Sequence, residues 1–478
     1  MKAGMKTRLD TPKKLRRVAL AASVLVGAAV LGGCASTVPQ PDVPASQVLM
    51  QAGVPKQLPV AADTPLDAGV IAWRDLIRSP RLLQLVDLAL QNNRDLRVAL
   101  LNVQRAQGQL TVADANRLPT LGAGLIASRA PNFKGVQANG LTLGLQVSAW
   151  EIDLFGRLAS LSDAARAQWL ASEAGRRAAE LALAGTVVQA ALALQADDEL
   201  LALARQTLTS RDQSVKLTQL RESAGAASLL ELQAQQTLSA QARATLAQLS
   251  RQRAQDHNAL ALLLGQAVPD ELKSATAAPT LADESWLVEM PAGLSSAVLL
   301  RRPDVISAEQ SMRAAQANIA AARAAFWPSI TLTAQAGQAS GQLLGLFEGG
   351  NFVYTLAANA LITVFDAGRR EANVNAAIAA QQIAQAQYER AIQSAFRDTA
   401  DALAGVATWR EQLAAQRALL VAAQGTAKLT ELKAEQGAAS TLERLDAQRS
   451  LWAAEQAVVE VRLAELGNRV ALFKALGG

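Results

Sequence analysis

A chain of 478 residues with a formal net charge of +5 is long enough for two or three ordinary domains and basic enough to suggest a nucleic-acid partner. The position of the charge excludes that partner: residues 1–33 hold seven Lys/Arg against Asp10 alone, and the remainder carries 39 basic and 40 acidic residues. The lone cysteine, Cys34, excludes an internal disulfide, and no second cysteine is present for a structural zinc site.

In chain order, the first element is the basic run KKLRR (13–17) followed by an apolar stretch from Val18 to Leu31. The stretch falls short of the ~20 residues that a membrane-spanning helix needs, so it predicts a signal-peptide core. It ends in LGGCAS, which resembles a bacterial lipobox with Cys34 as the lipidated residue. Ala35 rather than Asp follows the cysteine, which in such lipoproteins implies export onward to the outer membrane. Residues 35–66 contain six prolines and little periodicity, and predict an extended tether.

Proline then maps the rest. None occurs between Pro131 and Pro269 or after Pro328, while Pro269, Pro279, Pro291 and Pro303 mark a central connector. The two alanine-rich, proline-free blocks predict very long helices. The halves also match each other. Asp95–Pro119 corresponds to Asp304–Pro328, Gly156-Arg157 to Gly368-Arg369, and GAASLLELQAQQ (225–236) to GAASTLERLDAQ (437–448), the last two at a constant offset of 212. This is a tandem duplication whose unit is a helix, a proline, a strand hairpin, a long helix, a turn and a returning helix.

The division is therefore 1–33 leader, 34–66 anchor and tether, 67–265 first repeat, 266–293 connector and 294–478 second repeat. The first repeat holds strands at about 119–128 and 140–152 and helices at about 157–222 and 228–264. The second holds strands at about 328–337 and 352–365 and helices at about 369–434 and 440–476.

The strand segments carry the sharpest pattern. Leu141, Leu143, Leu145, Val147 and Ala149 alternate with Thr142, Gly144, Gln146 and Ser148, and the partner segment alternates more weakly, with Leu121, Ala123, Leu125 and Ala127 on one face. The second repeat follows the same plan. There Ile330, Leu332, Ala334 and Ala336 lie on one face, as do Tyr354, Leu356, Ala358, Ala360, Ile362 and Val364. Period-two patterning without charge on either face predicts transmembrane barrel strands. Trp150, Phe155 and Trp327 sit at strand ends, where an interfacial aromatic belt would lie. Four strands cannot close a barrel, so insertion requires oligomerisation; a dimer supplies eight strands and a trimer twelve. A helix of about 65 residues is about 100 Å long, too long to lie within a bilayer, and predicts coiled-coil packing in an aqueous space. The upstream segment near 80–117 is expected as one helix stacked end to end with the returning helix.

Together with WEIDLFGR (150–157), VFDAGR (364–369) and LDAQR (445–449), these features resemble the TolC-like outer-membrane efflux proteins, in the lipoprotein branch that serves tripartite RND pumps. The resemblance implies a mixed α/β membrane protein of the Gram-negative outer membrane, lipid-anchored and extending into the periplasm. Its protomers would form a homotrimer with one shared twelve-stranded barrel and a helical tunnel. The implied partners are a periplasmic adaptor, an inner-membrane RND transporter and outer-membrane lipid, with no nucleic acid. No cofactor beyond the lipid on Cys34 and no catalysis are implied. His257 lies in a polar helical stretch, and neither G-x-S-x-G nor a phosphate-binding loop string occurs. A type I secretion outlet shares the fold, and a periplasmic adaptor lipoprotein is the reading from a different class.

The GAAS segments are then the two periplasmic tips, with Gly225 and Gly437 turning the chain and Ser228 and Ser440 capping the returning helices. The resemblance places Leu442, Asp446 and Arg449 at the constriction, with Glu443 and Arg444 adding charge beside it. Asp446 and Arg449 are three residues apart on one helix face, so three copies around an axis would form a ring of ion pairs that favours cations when open.

Overall fold

The computed structural model describes residues 45–55, 73–131, 137–270, 280–282, 286–288 and 296–477. Cys34, the leader and much of the tether lie outside them. The chain forms two compact units: residues 111–164 with 316–379, and residues 44–110, 165–315 and 380–478. Each unit draws on both sequence repeats.

The helices are α1 (Ala45–Gln51), α2 (Trp73–Leu76), α3 (Pro80–Asn92), α4 (Arg94–Ala115), α5 (Arg157–Ser223), α6 (Leu229–Leu264), α7 (Pro303–Ala324), α8 (Arg369–Glu435) and α9 (Thr441–Leu476). The strands are β1 (Leu121–Pro131), β2 (Gln137–Ile152), β3 (Ser329–Ser340) and β4 (Phe352–Leu361). The paired long helices α5 and α8 have 67 residues each, and α6 and α9 have 36 each. Among the helices longer than 18 residues, α5 also contains a window apolar enough to cross a membrane by composition alone. Its Val187, Val188 and Leu192 are instead packed into a protein core.

In the first unit the strands form one antiparallel sheet in the order β1-β2-β3-β4. Its register joins the predicted apolar faces: Leu125 pairs with Leu143, Leu145 with Ala336, and Ala336 with Tyr354. On the other face Gln146 pairs with Gln335, and Gln335 with Thr355. A bulge between Val147 and Trp150 interrupts the alternation, with Ala149 at φ 48°. Ala149 is therefore the bulge residue and not a member of the apolar face, because one extra residue shifts the parity of everything after it. Trp150 and Ile152 then continue that face, opposite Leu332 and Ile330.

β4 ends at Leu361, so Ile362 and Val364 lie beyond the strand expected to contain them. The cause is β3, which starts at Ser329 opposite Leu361, directly after Pro328. Proline has no N–H for the ladder, and the last residues of the segment have no strand to pair with. The three aromatic residues at strand ends have specific contacts. The Trp150 indole N–H donates to the Arg117 carbonyl at 3.1 Å, and Phe155 stacks on Trp327 with centroids 5.2 Å apart.

The second unit holds the cores. One is built from Leu82, Leu85 and Val86 of α3, Val187 and Leu192 of α5, Leu260 and Leu264 of α6, and Val470 and Phe473 of α9. The connector belongs to it, since Trp286 and Leu287 are fully buried there and Val288 N donates to the Leu76 carbonyl at 2.9 Å. A second core joins Ile392, Ala395 and Leu403 of α8 with Val305, Leu472 and the segment containing Leu49, Ala52 and Val54. Residues 45–54 are thus a packed helix and turn, not extended tether, because burying three apolar side chains offsets the entropy of ordering a short segment. Gln393 Nε2 secures it, donating to the Ala52 carbonyl at 2.9 Å.

The segment near 80–117 is two helices, broken at Asn93, whose ψ of 132° is extended. Asn93 Oδ1 caps α4 by accepting from Leu96 N at 2.9 Å, and Nδ2 donates to the Leu263 carbonyl at 2.9 Å. Helix α3 thereby ends against the C-terminus of α6. The second repeat places a different side chain at the same joint. Arg302, 209 residues after Asn93, donates Nη1 to the Ala475 carbonyl at 2.9 Å, and Asp304 holds its guanidinium at 2.8 and 3.0 Å. Gly265 closes the first joint: a Cβ there would stand 2.3 Å from the Asn92 carbonyl oxygen, and its φ is +68°. Gly265→Ala is expected to cost about 2–4 kcal/mol, from strain plus overlap. Gly225→Ala, where φ is +73° in open space, should cost only about 1 kcal/mol. Apparent thermal midpoints of the two variants check this, and equal losses would remove the joint's special role.

Candidate functional site at the helix tips

Both tips terminate their long helices in the same way. Gly225 at φ 73° donates to the Glu222 carbonyl and Ala226 N to Arg221; Gly437 at φ 74° donates to Ala434 and Ala438 N to Lys433. These paired bonds satisfy the last carbonyls of α5 and α8, and the left-handed backbone they require favours glycine. The returning helices begin as predicted. Ser228 Oγ accepts from Glu231 N at 3.1 Å, and Ser440 Oγ accepts from Glu443 N at 3.2 Å.

At the second tip the cap is reciprocal. Glu443 Oε2 accepts from Ser440 N at 2.7 Å and from Ser440 Oγ at 2.9 Å. The backbone N–H of Ser440, then its hydroxyl and Lys433, hold the Glu443 carboxyl below its ordinary value. Glu443 is thus engaged in starting α9. Leu442 beside it is 67% exposed. Asp446 and Arg449 form an ion pair, with half or more of each side chain exposed. Arg444 lies 3.6 Å from Glu431 of α8, tying the two legs of the hairpin together.

The pattern of the tips did not reveal Arg211. It is buried on α5, and its Nη1 donates to Gln448 Oε1 on α9 at 2.9 Å, which links the first hairpin to the second. Burial, then Arg449 and Arg444, push its guanidinium below the ordinary arginine value. A signal was available: the residue 212 positions later is Ala423, so the charge is confined to one repeat, as are Asp446 and Arg449. Nearby, Asp212 accepts from Ser239 and lies 3.5 Å from Arg243, joining α5 to α6.

Residues 85–266 and 294–478 each match the model of the outer membrane efflux protein family. The chain is 39% identical over 463 residues to the probable efflux pump outer membrane protein TtgC of Pseudomonas putida, covering 95% of both chains. It is 37% identical over 456 residues to the probable outer membrane lipoprotein SilC of Salmonella typhimurium, covering 94% of this chain and 96% of the relative. Its fold superimposes on the open state of the Neisseria gonorrhoeae MtrE outer membrane channel with a TM-score of 0.79 and 34% identity, over 89% of this chain and 96% of that one. The duplicated strand hairpins, the single four-stranded sheet and the paired long helices are therefore those of a known architecture, and the chain belongs to the outer membrane efflux protein family.

Proposed function

We propose that three copies of this chain form the outer-membrane exit duct of a tripartite efflux pump. They pass substrates received from a periplasmic adaptor and an inner-membrane RND transporter. The observation that carries this reading is the sheet. It has no charged residue on β3 or β4, β4 is exposed along its whole length, and β1 and β4 are hydrogen-bonded on one side only. Joined β4 to β1 around a threefold axis, three sheets make a closed twelve-stranded barrel. A lipid on Cys34 anchors each protomer.

Leu442, Asp446 and Arg449 form the gate at the second tip. An exposed ion pair made between neighbouring protomers only in the closed ring contributes roughly 0.2–1 kcal/mol, so three of them bias closing by about 0.6–3 kcal/mol. That is a factor of about 3 to 150 in population, enough to favour the shut duct and little enough for a partner to open it. The reciprocal Ser440–Glu443 cap fixes where α9 starts, and with it the angle at which Leu442, Asp446 and Arg449 leave the helix.

Conductance of the purified protein in a planar bilayer tests the duct and the gate. Wild type should conduct weakly and Arg449→Ala several-fold more; no conductance from either removes the duct, and equal large conductances move the gate elsewhere. The cap is checked separately by hydrogen exchange at residues 438–446. Ser440→Ala should weaken the helix start by about 1 kcal/mol. Because the Glu443 carboxyl is held below the ordinary value of 4.5, its contribution is complete above that pH and is lost as pH falls through the lowered value. Protection at the second tip, taken relative to the intrinsic exchange rate at each pH, should therefore fall in acid, and unchanged protection there would contradict the cap's role.

A further inference from the structure

Arg211 is a buried cation with an incomplete set of partners. It is 6% exposed, its companion is the neutral Gln448 amide, and no carboxylate pairs with it among the described residues. The charged groups that face it are Arg449 and Arg444, both of its own sign. Asp446 is bound to Arg449 and Glu431 to Arg444. Burying an ion costs several kcal/mol unless opposite charge or several hydrogen bonds offset it, and one amide oxygen does not.

A cavity of about 100 Å³ opens beside this guanidinium, between α5, α6 and α9. Its polar wall consists of Thr207, Arg211, Gln241, Thr245, Arg449 and Trp452, with no carboxylate in the lining. The Trp452 Nε1–H is fully buried and has no acceptor. An indole nitrogen only donates, a guanidinium only donates, and a hydroxyl or carboxamide can donate. The cavity therefore gathers donors and positive charge and lacks a carboxylate; its only side-chain acceptors are the neutral oxygens of Thr207, Gln241 and Thr245. Water would accept one bond from each donor but leave the charge of Arg211, which has no carboxylate partner, unneutralised.

We propose that this cavity binds a small oxyanion, a sulfate, phosphate or single carboxylate group, held between the guanidinium groups of Arg211 and Arg449 and the indole N–H of Trp452. The planar fork of arginine matches two oxygens of such a group. The bound anion ties α5 of the first hairpin to α9 of the second, within about one turn of the Arg211–Gln448 bond. It supplies the negative charge that the chain omits there. The proposal holds whether or not Arg449 also acts in the gate, because it concerns an occupant of the cavity and not the opening of a duct.

The test is the thermal stability of the detergent-solubilised full chain, titrated with sodium sulfate, phosphate or acetate against chloride at matched ionic strength. At least one oxyanion should raise the unfolding midpoint saturably beyond chloride, and the three arms identify which group fits. Trp452→Phe keeps the ring and removes the donor, and should raise the concentration for half effect about tenfold, the value of one hydrogen bond to a charged group. Arg211→Gln should abolish the response while leaving the midpoint in chloride unchanged or higher, since it removes an uncompensated buried charge. Identical midpoints in all salts overturn the proposal. So does an oxyanion response that survives undiminished in Trp452→Phe, which remains decisive if Arg211→Gln does not fold.

Discussion

In hydrocarbon every backbone N–H and C=O must find its partner within protein, because no water is there to accept or donate. Four strands in the order β1-β2-β3-β4 satisfy that demand across three seams and leave two edges unpaired. The remaining features follow from how those edges are closed. Apart from Pro131 at the very end of β1, the strands lack the Lys, Pro and inward charges with which soluble sheets blunt an edge; their charged side chains, Arg129 and Glu151, lie near opposite ends of the first hairpin. Glu151 is already engaged by Arg157 at 2.6 and 2.9 Å. In the proposed duct, a sheet built this way is completed by copies of itself.

Duplication is the second organising fact, and its joints show how far a repeat can diverge while conserving a contact. Asn93 and Arg302 occupy corresponding places and both donate a side-chain N–H to a carbonyl in the last turn of a returning helix. The two residues share no charge and little shape. What is preserved is the need to satisfy a carbonyl that the helix itself cannot. This is also why the break at Asn93 was not legible in advance. Apolar periodicity runs through residues 80–117, and nothing local distinguishes an asparagine that caps from one that faces water.

Elsewhere the sequence was a good guide where the signal is local and a poor one where it depends on a distant partner. Strand alternation, long proline-free helices, tip glycines and N-cap serines are properties of short windows, and the observed elements match them to within a few residues. The end of β4 depends on where β3 starts, 32 residues earlier. The packing of Leu49, Ala52 and Val54 depends on α8, more than 300 residues later. Arg211 looks like any surface arginine of a polar helix until α9 covers it. At the second tip, local and distant readings met on one residue: Glu443, expected among the gate side chains, also closes a capping box with Ser440.

The central claim is that the open sheet is closed by two further copies of the chain. Native mass measurement of the mature protein, released from detergent micelles under conditions that retain noncovalent assemblies, tests it directly. The account predicts a single species at three times the protomer mass. A monodisperse monomer that stays in solution without detergent would contradict it, because a single four-stranded sheet with two free edges has no place in a membrane.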